Sequence, residues 1–199
     1  LIRLINDMLD LDKMAAGRLE LQLADLDPVA LVRTVVDGVH GFASQRRIEI
    51  RELVDPLPML VGDHDRIVQV LTNLVSNAIK FSPPMSTVTI RVTAAIGPSV
   101  TDPLAVDGAG RVRITVSNPG VGISPADLTR LFTRFQQLDG SDGRRNGGTG
   151  LGLAISKAII DQHGGTIGVQ SVPEIETTFW CELPAAARAP AVPDPAPHG

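Results

Sequence analysis

The sequence predicts a mixed α+β sandwich, a sheet carrying its helices on one face. Two observations predict it. Segments with a helical apolar period are interleaved with segments that alternate apolar and polar residues, as strands do. Several of those strands follow one another with no helix between them, which argues against a doubly wound parallel sheet. A composition of 43% hydrophobic residues over 199 positions is enough to bury one substantial core.

The elements follow in order. Leu1, Leu4, Met8, Leu11 and Ala15 recur at spacings of three and four, an a/d seam, and Ile2, Ile5 and Leu9 widen it as a bundle helix requires. Gly17 is its C-cap. Since Leu1 already stands inside the pattern, the chain is expected to begin within a longer helix. Leu19, Leu21 and Leu23 alternate with polar residues and predict a short strand. Asp27-Pro28 is an N-cap followed by a first-turn proline, opening a helix marked by Val29, Val32, Val35, Val36 and Val39 and ending near Arg46. Ile48 and Ile50 suggest a second strand. Asp63 caps a long helix from His64 to about Phe81. Residues 87–93 and 111–117 alternate as strands, and residues 94–110, rich in Gly, Pro and Asp, form an exposed loop between them. Ser124-Pro125 opens a short helix with Asp127 in its first turn. Residues 139–150 are a polar, glycine-rich loop, and residues 151–163 an apolar helix ended by Gly164-Gly165. Residues 166–171 and 177–183 complete the sheet. From Pro184 the chain is rich in Pro and Ala without a period, and is expected to be a disordered tail. The domain division is therefore 1–17, 18–183 with 94–110 as an inserted loop, and 184–199.

Charge and cysteine content exclude several classes. The net charge of −4 gives no overall basic field, so no nucleic-acid partner is expected. The single cysteine, Cys181, allows no intramolecular disulfide and is consistent with a reducing compartment. No apolar run approaches the roughly 20 residues of a membrane span, and no secretory signal is visible. A cytoplasmic location is expected, with membrane anchoring of a longer parent left open.

Three segments carry chemistry. On the helix from His64, Ile67, Val70, Leu71, Leu74, Val75 and Ala78 share one side, while Asn73, Asn77 and Lys80 form a second stripe about 120° away. One face packs; the other presents two amides and an ammonium in line. An amide oxygen is a hard neutral ligand suited to Mg²⁺, and a lysine supplies a point charge to phosphates. A solvated polar face is the competing reading. In the second segment, Ser117-Asn118-Pro119-Gly120-Val121-Gly122-Ile123, two glycines directly after a strand let the backbone approach a flat ligand. In the third, Gly147-Gly148-Thr149-Gly150-Leu151-Gly152-Leu153, glycines open an apolar helix whose free N–H groups can meet phosphate oxygens. A Rossmann fingerprint needs a strand immediately before it, and a P-loop needs Gly-Lys-Ser/Thr; neither is present.

In this order the segments resemble the GHKL ATPase superfamily, whose two-layer α/β sandwich is the Bergerat fold, and within it the sensor histidine kinases. Gln69 to Phe81 resembles the N box, Ser117 to Ile123 the G1 box, Leu131-Phe132-Thr133-Arg134-Phe135 the F box and Gly147 to Leu153 the G2 box. Residues 1–21 resemble the end of the second dimerisation helix and its link to the catalytic domain. The resemblance implies Asn77 as the Mg²⁺ ligand, supported by Asn73. It implies Lys80 on the phosphates and Asn118, Gly120 and Gly122 at the adenine. Gly148, Thr149, Gly150, Leu151 and Gly152 would belong to the ATP lid, and Arg134 would assist γ-phosphate transfer. Phe132 and Phe135 would seat the lid. It also implies ATP as the nucleotide, a response regulator receiver domain as the partner, and a homodimeric parent whose upstream domain carries the acceptor histidine. Three departures stand out. Asn118 replaces the family's aspartate. Glu174 and Glu176 stand where the last glycine-rich box usually has glycines, which is expected to alter that hairpin turn. No histidine here fits the acceptor pattern: His64-Asp65 lacks the following proline, and His40, His163 and His198 lack an acidic follower. The first two departures support an alternative, a degenerate kinase acting as a regulatory docking module. A topoisomerase or chaperone ATPase fits less well, because of the dimerisation-helix ending and the compact lid.

Overall fold

The computed structural model describes residues 20–54, 57–95, 110–133 and 150–186. Seven strands are present among them: β1 (Ala24–Leu26), β2 (Glu49–Val54), β3 (Leu60–Gly62), β4 (Thr87–Ala95), β5 (Arg111–Pro119), β6 (Thr166–Val172) and β7 (Glu176–Pro184). Five form one sheet in the order β2-β4-β5-β7-β6; β1 and β3 form a small antiparallel pair. Only β2 and β4 run parallel.

The helices are α1 (Pro28–Arg46), α2 (His64–Phe81), the single turn α3 (Pro125–Leu128) and α4 (Gly152–Gln162). Their starts follow from local chemistry. The Asp27 carboxylate accepts the Val29 N–H at 2.9 Å, and Pro28 supplies the fixed first-turn φ. Asp63 does the same for Arg66 at 3.2 Å. α1 ends on Arg47 in the left-handed conformation, φ 56°. α2 lies between α1 and α4 and over β4 and β5; α1 also packs on β2, and α4 on β6 and β7.

The core fills the space between the helix layer and one sheet face. α2 contributes Ile67, Val70, Leu71, Leu74, Val75 and Ala78, the side that its spacing predicts, and also Ile79. The inward alternation of β4, β5 and β7 contributes Val88, Ile90, Val92, Val112, Ile114, Val116, Phe179, Cys181 and Leu183. Burial pushes the Cys181 thiol up to about 12, with Glu182 adding to the effect. On the other sheet face Arg113 lies 4.7 Å over the Trp180 ring and bonds Glu182 at 2.7 Å. A side chain at Gly168 would run into that ring.

The structure revises several expectations. The first strand is Ala24–Leu26, and Leu23 is exposed. Gln22 gives its N–H to the Asp63 carboxylate at 3.0 Å, so the ladder starts after it. Val29, counted on the apolar side of α1, is exposed. β3 had no sequence signal. β4 continues through Ala94 and Ala95, paired with Val112 and Arg111; residues 96–109 of the expected loop lie outside the described residues. Pro184 still belongs to β7. Ala185 bridges Leu60, and Ala186 donates its N–H to the Met59 carbonyl at 2.7 Å, so these three residues are part of the sheet region. The rest of the expected tail and the opening helix lie outside the described residues. No described helix is long and apolar enough to cross a membrane.

Candidate functional site

The polar stripe of α2 runs past the start of α4. Asn73 donates its Nδ2–H to Ser156 Oγ at 3.0 Å, and a Cβ at Gly152 would collide with the Asn73 amide. Asn73 is thus clamped between two helices, and only glycine fits opposite it. One turn further on, Asn77 is half-buried, and its amide makes no hydrogen bond to the described residues. Lys80 follows, its ammonium 4.8 Å from the Phe81 ring centroid. Burial, then the neighbouring Arg46 guanidinium, hold the Lys80 ammonium below the usual lysine range.

The loop after β5 meets the end of this helix. A Cβ at Gly120 would stand 2.9 Å from the Phe81 carbonyl oxygen, so glycine permits the contact. Gly122, at φ 74°, abuts Pro173 of the β6–β7 turn. Ser171 Oγ accepts the Ile123 N–H at 2.9 Å and pairs with Thr177 Oγ1 at 2.8 Å. The Val121 carbonyl accepts the Glu174 N–H at 3.1 Å. Loop and hairpin are therefore stitched together by two hydrogen bonds, with the Ser171–Thr177 pair bracing the hairpin itself.

Asn118 is 4% exposed, and its Nδ2–H goes to the Pro119 carbonyl at 3.0 Å. Its Oδ1 has no partner among the described residues. Thr177, also buried, lies opposite it in register on β7. At this end, the inner sheet face changes from apolar to polar. The hairpin expected to be altered keeps a glycine-like backbone: Glu174 sits at φ 61°.

α4 starts without a side-chain cap. Leu151, buried, occupies the cap position, no acidic residue stands in the first turn, and Gly150 precedes it at φ 69°. The N–H groups of its first turn carry the helix's positive pole, and the cap residue supplies no side-chain acceptor to them. Phe132 packs partly buried against the core. Arg134, Phe135, Gly147, Gly148 and Thr149 lie outside the described residues.

The histidines divide by environment. His64 is exposed beside Asp65. His163 is buried: Nε2 accepts the Asp63 N–H at 2.9 Å while Nδ1 meets the Ile159 carbonyl at 2.7 Å, which fixes the proton on Nδ1. Sequence reasoning passed over Ser171, Thr177 and Arg46. Thr177 carries a readable signal, since it is the one polar member of the inward series Thr177, Phe179, Cys181, Leu183.

The fold and this cluster together define a nucleotide-directed ATPase domain of the two-layer type. The chain belongs to the histidine kinase-, DNA gyrase B-, and HSP90-like ATPase family, whose sequence model matches residues 62–187. Within that family the relatives that it resembles include sensor histidine kinases. It is 39% identical over 185 residues to the sensor histidine kinase GacS of Pseudomonas protegens, a match covering 92% of this chain and 19% of that protein. Full-length ShkA, solved in complex with AMPPNP, superposes with a TM-score of 0.75 at 33% identity, covering 94% of this chain and 36% of that one. The catalytic domain of histidine kinase ThkA gives 0.63 at 26%, covering 82% and 98%. The chain spans about a fifth of the length of the GacS relatives that it matches.

Proposed function

We propose that this chain binds Mg²⁺·ATP between α2, the start of α4 and the polar end of the inner sheet face, and passes the γ-phosphate to a histidine imidazole outside these residues. A second copy of the parent and its upstream dimerisation domain would present that histidine. An aspartate of a response regulator receiver domain would then take the phosphate. No observation favours a degenerate docking module over this reading.

The observation that carries it is the contrast along the α2 stripe. The Asn73 amide gives its Nδ2–H to Ser156 and so holds α4, whereas Asn77 offers an amide with no partner among the described residues, one turn away on the same side. A half-buried amide with no partner loses hydrogen bonds to water and gains none, unless a ligand supplies them. Its oxygen suits a hard cation, and Mg²⁺ typically binds through few protein oxygens together with phosphates. When bound, such an ion, held by Asn77, would screen the charge of the phosphates. Lys80 adds a point charge to the same end. Gly148, Thr149, Gly150, Leu151 and Gly152 would bring backbone N–H groups to the phosphates at the start of α4, and Arg134 would assist transfer. Asn118 Oδ1 accepts from the adenine amino group, with Thr177 beside it and Gly120 and Gly122 letting the backbone close on the ring.

The test is Asn77→Ala. The residue lies on the polar stripe, so truncation opens no core cavity, and stability should stay within about 0.5 kcal/mol. Calorimetric titration should show Mg²⁺-dependent ATP binding by the parent sequence and none by the variant. Equal binding by both would place the site elsewhere.

A further inference from the structure

We propose that Arg46 is a positioning residue of the phosphate end of the site: it caps the last turn of α2 and so holds Lys80 in place. The inference rests on the reading of Lys80 as a phosphate contact. The last carbonyls of a helix have no N–H partner within it. In α2, the Ser82 N–H and hydroxyl both return to the Ala78 carbonyl, at 3.1 and 2.7 Å. The Lys80 carbonyl is instead taken by Arg46 Nη1, at 2.9 Å, from the last turn of α1. A cation at this end also meets the helix's negative pole.

Arg46 is itself braced. Its guanidinium lies 5.3 Å over the Phe42 ring one turn back on α1. The turn after α2 is pinned to the same helix end, since Met85 donates its N–H to the Arg47 carbonyl at 2.9 Å. The two helix ends therefore form one joint. Lys80 hangs from that joint over the Phe81 ring, and the Phe81 carbonyl touches Gly120. Movement of this turn would shift the cation and the loop after β5 together. Arg46 also places a second positive charge beside Lys80, an arrangement that a polyanion relieves. Its planar fork suits a carbonyl and a ring at once, which a lysine does not.

The experiment compares Arg46→Met, Arg46→Lys and Lys80→Met with the parent sequence. Mg²⁺·ATP and adenosine are titrated calorimetrically, and the Lys80 side-chain ammonium is followed by NMR against pH. Arg46→Met should weaken ATP several-fold and leave adenosine unchanged, and the Lys80 pKa should rise. Arg46→Lys should keep the Lys80 pKa low while ATP stays weakened, because charge is retained and the fork is lost; it also carries the comparison if Arg46→Met folds poorly. Parallel loss of ATP and adenosine would mean a general effect on the fold and would overturn the proposal. So would an unmoved Lys80 pKa, or unchanged ATP affinity in both Arg46 variants while Lys80→Met weakens it. If Lys80→Met binds ATP as the parent does, the underlying reading of Lys80 fails first.

Discussion

Glu174 occupies the third position of a turn, Val172 to Ile175, closed by the Ile175 N–H to the Val172 carbonyl at 3.1 Å with Pro173 second. That position calls for a positive φ, which a residue with a Cβ adopts at a cost of about 1–2 kcal/mol. The turn holds Glu174 in a conformation that a glycine adopts without that cost. Glu174→Gly should therefore raise stability by about 1 kcal/mol, less what glycine gives back through its more flexible unfolded chain. Urea unfolding followed by the single tryptophan, Trp180, measures this; no gain would mean that the turn relaxes around the side chain. Residues of this kind are half legible in a sequence. A missing glycine can be seen, but whether the backbone changes with it depends on neighbours such as Pro173 and Val121, which only the fold brings together.

At the scale of elements, the N-cap of α2 joins three segments. The Asp63 carboxylate accepts N–H bonds from Gln22 and Arg66, and the Asp63 N–H goes to His163 at the C-terminal end of α4. Burial works against its ionisation, but those two N–H bonds, helped by the nearby Arg66 guanidinium, outweigh it, so its carboxyl titrates below the usual aspartate range. A depressed carboxyl contributes stability that is present above the unfolded pKa and is lost as pH falls through the folded one. Asp63→Asn keeps a capping oxygen and loses the charge. It should be less stable than the parent at neutral pH, and the gap should close as pH falls through the depressed carboxyl's own titration. Equal pH profiles in denaturant melts would show that the charge contributes nothing. Capped, amphipathic helices such as α1 and α2 are legible because cap and period are local. Strands of three residues, such as β1 and β3, are too short to show a period. They exist because Leu60 is buried and bridges Ala185 at the far end of the chain.

Over the whole molecule, the site forms where the two layers part. Asn118 and Thr177 end the inward-facing series of β5 and β7, and α2 brings its polar stripe to the same region through the Phe81–Gly120 contact. The stripe and the glycine loops were legible as spacing. The Ser171–Ile123 bond, the Asn73–Ser156 clamp and the Arg46 cap join residues between 34 and 83 positions apart, which no local pattern reveals.

Asn118 gives the most direct test that this polar sheet end receives adenine. Its Nδ2–H bond to the Pro119 carbonyl leaves Oδ1 as the acceptor for the adenine amino group. Asn118→Asp sets an oxygen against that carbonyl and should cost about 1 kcal/mol of stability without nucleotide. It should also add charge assistance to the adenine bond, a gain of about 1 kcal/mol, or several-fold in affinity. The measurement is a calorimetric titration of both forms with ATP in the presence of Mg²⁺. Binding by the parent sequence, and several-fold tighter binding by the less stable aspartate form, is the predicted result; no binding by either form would contradict the account.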